Sequence, residues 1–155
     1  MDHGLLRSYF SSIYELPTAD GPLRVSLDGE ISSEAKQLPD LLRQKFAIIT
    51  AYNPRSMLLP RRVNEQRNQV MRDLLVLGCY RVEQCAGYDE EPEGVWREPG
   101  WLVQGIEREE AIAFGRVFRQ NMVLFAEAGR PNLVVTDITL DDIGKTYPGN
   151  WRVRG

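Results

Sequence analysis

Three residues of the run PRRVNEQRNQVMRDLLVLG (60–78) do not suit a plain surface helix: Asn64, Arg67 and Asn68. Asparagine is a poor helix former, so two in one helix point to hydrogen-bonding duties, structural or ligand-directed. On a helical projection Arg67 falls between Leu74 and Met71, inside the apolar stripe. A guanidinium there must snorkel, pair with a carboxylate or face a polar cavity. Arginine suits an anionic ligand because it keeps its charge and offers forked donors. Arg61 and Arg62 occupy the first helical turn, where the macrodipole disfavours cations, and Arg55 lies in the preceding loop. Together with the free N–H groups of a helix start they describe an anion-attracting surface. The bland alternative is three solvated arginines.

The turn Tyr52-Asn53-Pro54-Arg55-Ser56 brings amide and hydroxyl groups to the end of an apolar strand, a common place for ligands in open sheets. Asn53 and Ser56 also suit plain turn-forming roles. Glu98, in WREPGW, precedes another apolar strand and is the expected carboxylate partner of Arg67. Gln120 and Asn121 close a second long helix, where Asn121 reads as a C-cap. The candidate ligand-binding residues are therefore Tyr52, Asn53, Arg55, Ser56, Asn64 and Arg67, joined by Asn68, Glu98 and Gln120. Glu98 or Glu65 as general base with Arg67 as electrophilic stabiliser would suffice for phosphoryl or acyl transfer. No catalytic residue is assigned, because the commoner designs are missing. His3 lies near the start, no G-x-S-x-G elbow occurs, and the 53–60 loop lacks P-loop glycines. Cys79 and Cys85 read as reduced packing groups rather than zinc ligands. Asp137, Asp141 and Asp142 read as solvated loop acids, and Trp96 and Trp101 as packing groups. No metal and no cofactor is expected.

The elements that would position these groups follow from periodicity. Residues 1–8 read as a loose terminus. SSIYEL (11–16) and LRVSL (23–27), around the turn PTADGP, read as a β-hairpin. SSEAKQLPDLLRQK (32–45) reads as helical, firm from Pro39. FAIITAY (46–52) is a continuous apolar run, typical of a strand covered on both faces. The helix opened by Pro60 ends at Gly78, with Val63, Val70, Met71, Leu74 and Leu77 on one expected inward face. Strands follow at 79–89 and 101–106 around a polar loop, then a helix at 107–121 with an acidic first turn. Strands at 122–127 and 132–138 come last. From residue 46 the order is β-α-β-β-α-β, which predicts an α+β fold with a ferredoxin-like mixed sheet, preceded by the N-terminal hairpin and helix. The expected domain organisation is a single domain over 1–155, with a core of about 10–138 and an irregular tail at 139–155.

Composition bounds the function classes. The 155 residues are 43% hydrophobic and 26% charged, with net charge −3. That is too apolar for a disordered chain, and it gives no global pull toward nucleic acid or anionic membrane. No apolar run is long enough to span a bilayer, and no signal peptide is evident, so a cytoplasmic location is expected.

The same blocks carry a family resemblance. ITAYNPRS, NEQRNQ, WREPGWLVQGI and AFGRVFRQNMVLF, in that order over roughly residues 10–127, resemble a bacterial domain-of-unknown-function family, number 3293. Its pattern has a T-A-Y-N-P turn, an N-x-x-R helix, a G-x-W-x-E-x-S segment and an F-x-Q-N/D-A helix end. The matching positions are Thr50 through Pro54, Ser56, Asn64, Arg67, Trp96, Glu98, Phe118, Gln120 and Asn121. Gly100 departs from it, standing where the family tends to have serine. The resemblance implies one compact bacterial domain and no activity.

The expected function is a small-ligand or anion-binding module built on the strand-turn-helix at 46–78. A protein-interaction or homodimerisation domain and a hydrolase or transferase with a Glu/Arg site are the alternatives. The partners expected are a small anionic ligand or a second copy, with neither membrane nor nucleic acid.

Overall fold

The computed structural model describes residues 3–30, 38–89 and 97–155. Helix α1 (His3–Ser11) is followed by strands β1 (Ile13–Leu16) and β2 (Leu23–Ser26). A 3₁₀ turn (Asp40–Arg43) leads into β3 (Phe46–Ile49). A second 3₁₀ turn (Pro54–Ser56) leads to α2 (Arg61–Leu77), and β4 (Arg81–Tyr88) and β5 (Arg97–Gln104) come next. The chain continues through α3 (Arg108–Val117), β6 (Met122–Glu127), β7 (Arg130–Val135), β8 (Thr146–Pro148) and β9 (Arg152–Val153). Residues 1–8, expected to be loose, lie mostly in α1. The helix expected at 32–45 falls partly outside the described residues.

The nine strands of the described residues form one sheet in the order β8-β7-β6-β3-β5-β4-β1-β2-β9. Every strand ladder is antiparallel. This overturns the expected ferredoxin-like mixed sheet. From β3, α2 carries the chain over one intervening place to β4, and the hairpin brings β5 back into it. β3 and β4 therefore run the same way but are never neighbours, so no parallel ladder forms. β3, β4, β5 and β6 are interior members of a larger sheet, because both of their outer edges are taken. β1 pairs with β4 on one side and β7 with β6 on the other.

The sheet must also curl. A flat nine-stranded sheet would hold β8 and β9 roughly 38 Å apart, at about 4.8 Å per strand. Only residues 149–151 separate β8 from β9 in the chain, and four Cα steps reach no more than about 14 Å. The edges are therefore brought together, and the 149–150 backbone stitches them. Gly149 N–H donates to the Pro131 carbonyl of β7, while Asn150 N–H donates to the Leu27 carbonyl just past β2. The result is a curled, half-closed barrel. The 139–155 stretch, expected to be irregular, supplies its last two strands.

Period-2 alternation sorts the strand residues onto two faces. Phe46, Ile48, Leu102, Met122, Leu124 and Leu133 belong to the inner cluster. Trp151, from the closing segment, stacks on Phe46 there at 6.0 Å between ring centroids. Ala47, Ile49, Trp101, Val103, Val123 and Phe125 face outward and are covered by Met71 and Leu75 of α2 and Ala111 and Ile112 of α3. Helix α1 lies over the mouth of the curl, with Leu6, Tyr9 and Phe10 packed on the inner cluster. No described helix is long and apolar enough to cross a membrane.

α2 is rotated from the expected phase. Its buried residues are Asn64, Asn68, Met71 and Leu75, while Val63, Val70, Leu74 and Leu77 are exposed. Polar side chains face the sheet because backbone groups there need partners.

Candidate polar cavity at the mouth of the curled sheet

β3 ends at Ile49, and the chain beyond it leaves the ladder. Its backbone groups must still be satisfied once buried. α2 does this with one face. Asn68 Oδ1 accepts from Ala51 N–H at 2.8 Å, and Arg67 Nε donates to the Ala51 carbonyl at 2.9 Å. Asn64 Oδ1 accepts from Asn53 N–H at 2.9 Å. Asn68 Nδ2 also donates to the Pro99 carbonyl at 3.0 Å, and Trp101 Nε1 donates to the Asn68 carbonyl at 3.0 Å. Three helix side chains thus continue the ladder that β3 abandons.

The turn so held is strained. Asn53, Arg55 and Ser56 adopt positive φ of 44°, 52° and 59°. For a non-glycine residue that conformation costs about 1–2 kcal/mol. Asparagine tolerates it better than arginine or serine. Asn53 Oδ1 accepts from Asn64 Nδ2 at 2.8 Å and from Leu59 N–H at 3.0 Å, and its Nδ2 donates to Glu98 Oε1 at 3.1 Å. Arg55 N–H is bound by the Arg119 carbonyl at 2.8 Å, which fastens the turn to the loop after α3. Strain retained by so many hydrogen bonds marks the turn as a place where geometry matters more than ease of folding.

Glu98 lies in β5, paired with Gly87 of β4. Alternation with Gly100 and Leu102 turns its carboxylate inward. There it meets a cavity of about 320 Å³ between α1, the 53–56 turn, the far end of the β4–β5 hairpin and the 120–121 loop. Tyr9, Tyr14, Ser56, Asp89, Gln120 and Asn121 share its lining with Glu98 and Asn53. Asn121 Nδ2 donates to Ser56 Oγ at 2.8 Å and to the Tyr9 hydroxyl at 3.4 Å. Gln120 Nε2 donates to the Tyr52 carbonyl at 3.1 Å. Burial holds the Tyr9 hydroxyl above the ordinary tyrosine range, and the nearby Glu98 charge adds to the effect. The Tyr14 hydroxyl is pushed up by burial in the same way, with Tyr9 and Glu98 contributing. Both are therefore neutral hydroxyls at neutral pH.

The nine candidate residues divide into groups. Asn53, Ser56, Glu98 and Gln120 converge on the cavity. Asn64 and Arg67 stand behind it as clamps, and Arg67 Nη2 also binds the Phe118 carbonyl at 2.6 Å. Arg55 pairs with Asp137 at 3.4 Å. Tyr52 and Asn68 line a separate, wider outer groove of about 670 Å³ with Arg61, Glu65 and Arg97. Of the first-turn arginines, Arg61 is ion-paired to Glu65 at 2.7 Å. The Arg67 guanidinium is spent on two carbonyls, and Glu98 is bound by Asn53.

Over residues 49–123 the chain matches the family described as Protein of unknown function (DUF3293). The DUF3293 segment runs from the last residue of β3 to the second of β6. It is shorter than the 10–127 over which the motif blocks resemble the family. It holds the turn, the α2 clamps, Glu98, Gln120 and Asn121, and it leaves out α1 and β1. No curated protein and no solved structure matches the chain.

Tyr9, Tyr14 and Asp89 were not among the sequence candidates. Tyr9 sits in a segment with no strong periodicity, and only the curl brings α1 over the DUF3293 residues. The hairpin reading of 11–27 placed Tyr14 in a strand but not beside a cavity. Among the described residues, no group of three or more His, Cys, Asp or Glu side chains is placed to hold a metal ion.

Proposed function

We propose that the chain is a binding module for a small polar ligand, held in the cavity between α1 and the DUF3293 turn. The observation that carries this is convergence. Glu98, Tyr9, Ser56 and Asn121 come from four separate segments and meet at one cavity of about 320 Å³. That volume lies at the lower end of the range for small-molecule sites. The groups are pre-positioned, since the buried amides of Asn53, Asn64 and Asn121 lock the turn beneath them. Pre-organisation of this kind lowers the ordering cost of binding.

Anion binding on the 46–78 segment has weaker support. Arg67 donates to backbone carbonyls, while Arg55 and Arg61 are ion-paired. A Glu/Arg hydrolytic site loses its electrophile for the same reason, and no reaction is proposed. A protein-interaction role has one observation in its favour: Val70, Leu74 and Leu77 of α2 are exposed along one stripe. Light scattering after size exclusion tests it, and a monomer at all concentrations removes self-association.

Thermal-shift screening of a metabolite library, followed by titration against ¹⁵N-labelled protein, tests the cavity. A binding compound is expected to move the Asn121 and Gln120 side-chain amide resonances, and Tyr9→Phe or Ser56→Ala is expected to weaken it. A library in which no compound moves those resonances ends the cavity reading.

A further inference from the structure

We propose that the cavity takes an organic cation, a small ammonium or guanidinium compound that donates several hydrogen bonds. This rests on the cavity being a binding site and adds the class of ligand.

Charge is the first argument. Two carboxylates, Glu98 and Asp89, line the cavity, and among the described lining residues there is no lysine, arginine or histidine. A low-dielectric cavity wall strengthens the attraction of those carboxylates for a cation.

Hydrogen-bond polarity is the second argument and is independent of charge. The three amide groups facing the cavity have their nitrogens turned to protein acceptors. Asn53 Nδ2 binds Glu98, Asn121 Nδ2 binds Ser56 and Tyr9, and Gln120 Nε2 binds the Tyr52 and Phe118 carbonyls. Tyr14 donates its proton to the Tyr9 carbonyl at 3.3 Å. Among the described residues no donor reaches Asn121 Oδ1 or Gln120 Oε1. The amide donors of Asn121 and Gln120 are consumed inside the protein, so it is their oxygens that remain to face a guest. An ionised carboxylate, such as Asp89 or Glu98, only accepts and offers about four acceptor sites. A site rich in acceptors suits a ligand rich in donors, and an ammonium offers three while a guanidinium offers five.

Size is the third. The cavity has room for roughly ten waters at about 30 Å³ each, which fits a single small amine.

The test is a matched series on the full chain in low-salt buffer, where electrostatic attraction is least screened. The probes are 1,5-diaminopentane, agmatine, 1,5-pentanediol and glutarate, followed by isothermal titration and by the Asn121 and Gln120 side-chain amide resonances. The expected result is saturable binding of the diamine or agmatine with movement of those resonances. Glu98→Gln is expected to weaken it at least tenfold, and Asp89→Asn does the same duty should Glu98→Gln fail to fold. Glutarate or pentanediol moving those resonances while the amines do not would overturn the cation class and leave the cavity standing. Amines that bind with no movement of those resonances, or no binding by any probe, would overturn the cation class and count against the cavity as well.

Discussion

Asn53 and Asn64 grip each other in both directions. Asn64 Oδ1 accepts from the Asn53 backbone N–H at 2.9 Å, and Asn64 Nδ2 donates to Asn53 Oδ1 at 2.8 Å. Both residues are buried. The pair holds Asn53 in its left-handed conformation and aims its side-chain NH2 at Glu98. Truncating Asn64 orphans a buried donor and leaves Asn53 Oδ1 with Leu59 alone. A lost buried partner costs about 1–3 kcal/mol per orphaned group. Asn64→Ala is therefore expected to destabilise the chain by about 2–4 kcal/mol in denaturant unfolding, with Asp in place of Ala no rescue because it lacks the donor. A loss below about 0.5 kcal/mol would show that the turn holds itself.

Arg67 gives a prediction that separates clamp from ligand site. Its Nε and Nη2 reach the Ala51 and Phe118 carbonyls at 2.9 and 2.6 Å, and its guanidinium lies 5.8 Å from the Phe118 ring centroid. Burial, and then Arg119, lower its pKa, but an arginine stays charged across the working pH range. Lysine has no rigid fork and cannot span both carbonyls. Arg67→Lys is expected to cost about 1.5–3 kcal/mol of stability, the range for charged hydrogen bonds. Phosphate titrated into the wild type and the variant is expected to give the same null response. Phosphate stabilisation that vanishes in the variant would restore the anion reading.

How much of this was legible in the sequence can be judged from these residues. The turn, α2 and Glu98 stand out as polar groups in apolar surroundings, and that signal is local. The partner of Arg67 was not legible, because a carbonyl freed by the end of a strand has no sequence signature. The curl was not legible either. It depends on β8 and β9, three and two residues long, and on backbone bonds of Gly149 and Asn150. Segments that short show no alternation, so the edges they join could not be foreseen. Without the curl, α1 has no reason to lie beside Glu98, and Tyr9 stays invisible.

Acid gives a local prediction at the β7–β8 connection. The Tyr147 hydroxyl donates to Asp141 Oδ2 at 2.7 Å, and Asp142 N–H donates to Asp141 Oδ1 at 2.9 Å. Tyr147 first, then the Asp142 amide and Lys145, hold the Asp141 carboxyl at about 2, below its usual 3.8. A depressed folded pKa stabilises the folded state above the ordinary value, and that stabilisation is lost as pH falls through 3.8 toward about 2. NMR titration is expected to find Asp141 low in the wild type and raised toward the ordinary range in Tyr147→Phe. The gap in thermal stability between the two proteins is expected to close below pH 3.8.

Gly100 stands where the family resemblance led to the expectation of a serine, and the structure shows what fills the space around it. A Cβ there would stand 2.9 Å from the Ile49 carbonyl oxygen and 3.3 Å from Thr50 Cβ. Both neighbours belong to the strand end that Asn68 and Arg67 secure, so neither can yield freely. Gly100→Ser is expected to strain the β3–β5 contact and to cost about 1–3 kcal/mol, as overpacking does. Equal unfolding midpoints for the two proteins would mean that this strand end has slack.

The phase of α2 is the feature on which sequence and structure differ most sharply, and substitutions read it directly. The sequence places Val70, Leu74 and Leu77 in the core beside Met71. In the fold Met71 is fully buried, while Val70 is 52% and Leu77 80% exposed. Burying a helix by its most apolar stripe would turn Asn64 and Asn68 to solvent and leave Ala51, Asn53 and Pro99 backbone groups unpaired. Each unpaired buried group costs about as much as a buried methyl-rich side chain gains. The polar face therefore wins, and the apolar stripe is left outside. Met71→Ala is expected to cost about 2–5 kcal/mol. Val70→Lys and Leu77→Lys are expected to change stability by no more than about 0.5 kcal/mol, as surface changes do. The contrast is decisive because the three positions lie within about two turns of one helix. A large loss at Leu77 in a protein shown to be monomeric would mean that the helix sits in the phase its apolar residues suggest. A large loss that appears only at concentrations where the wild type self-associates would mean that the stripe is an interface.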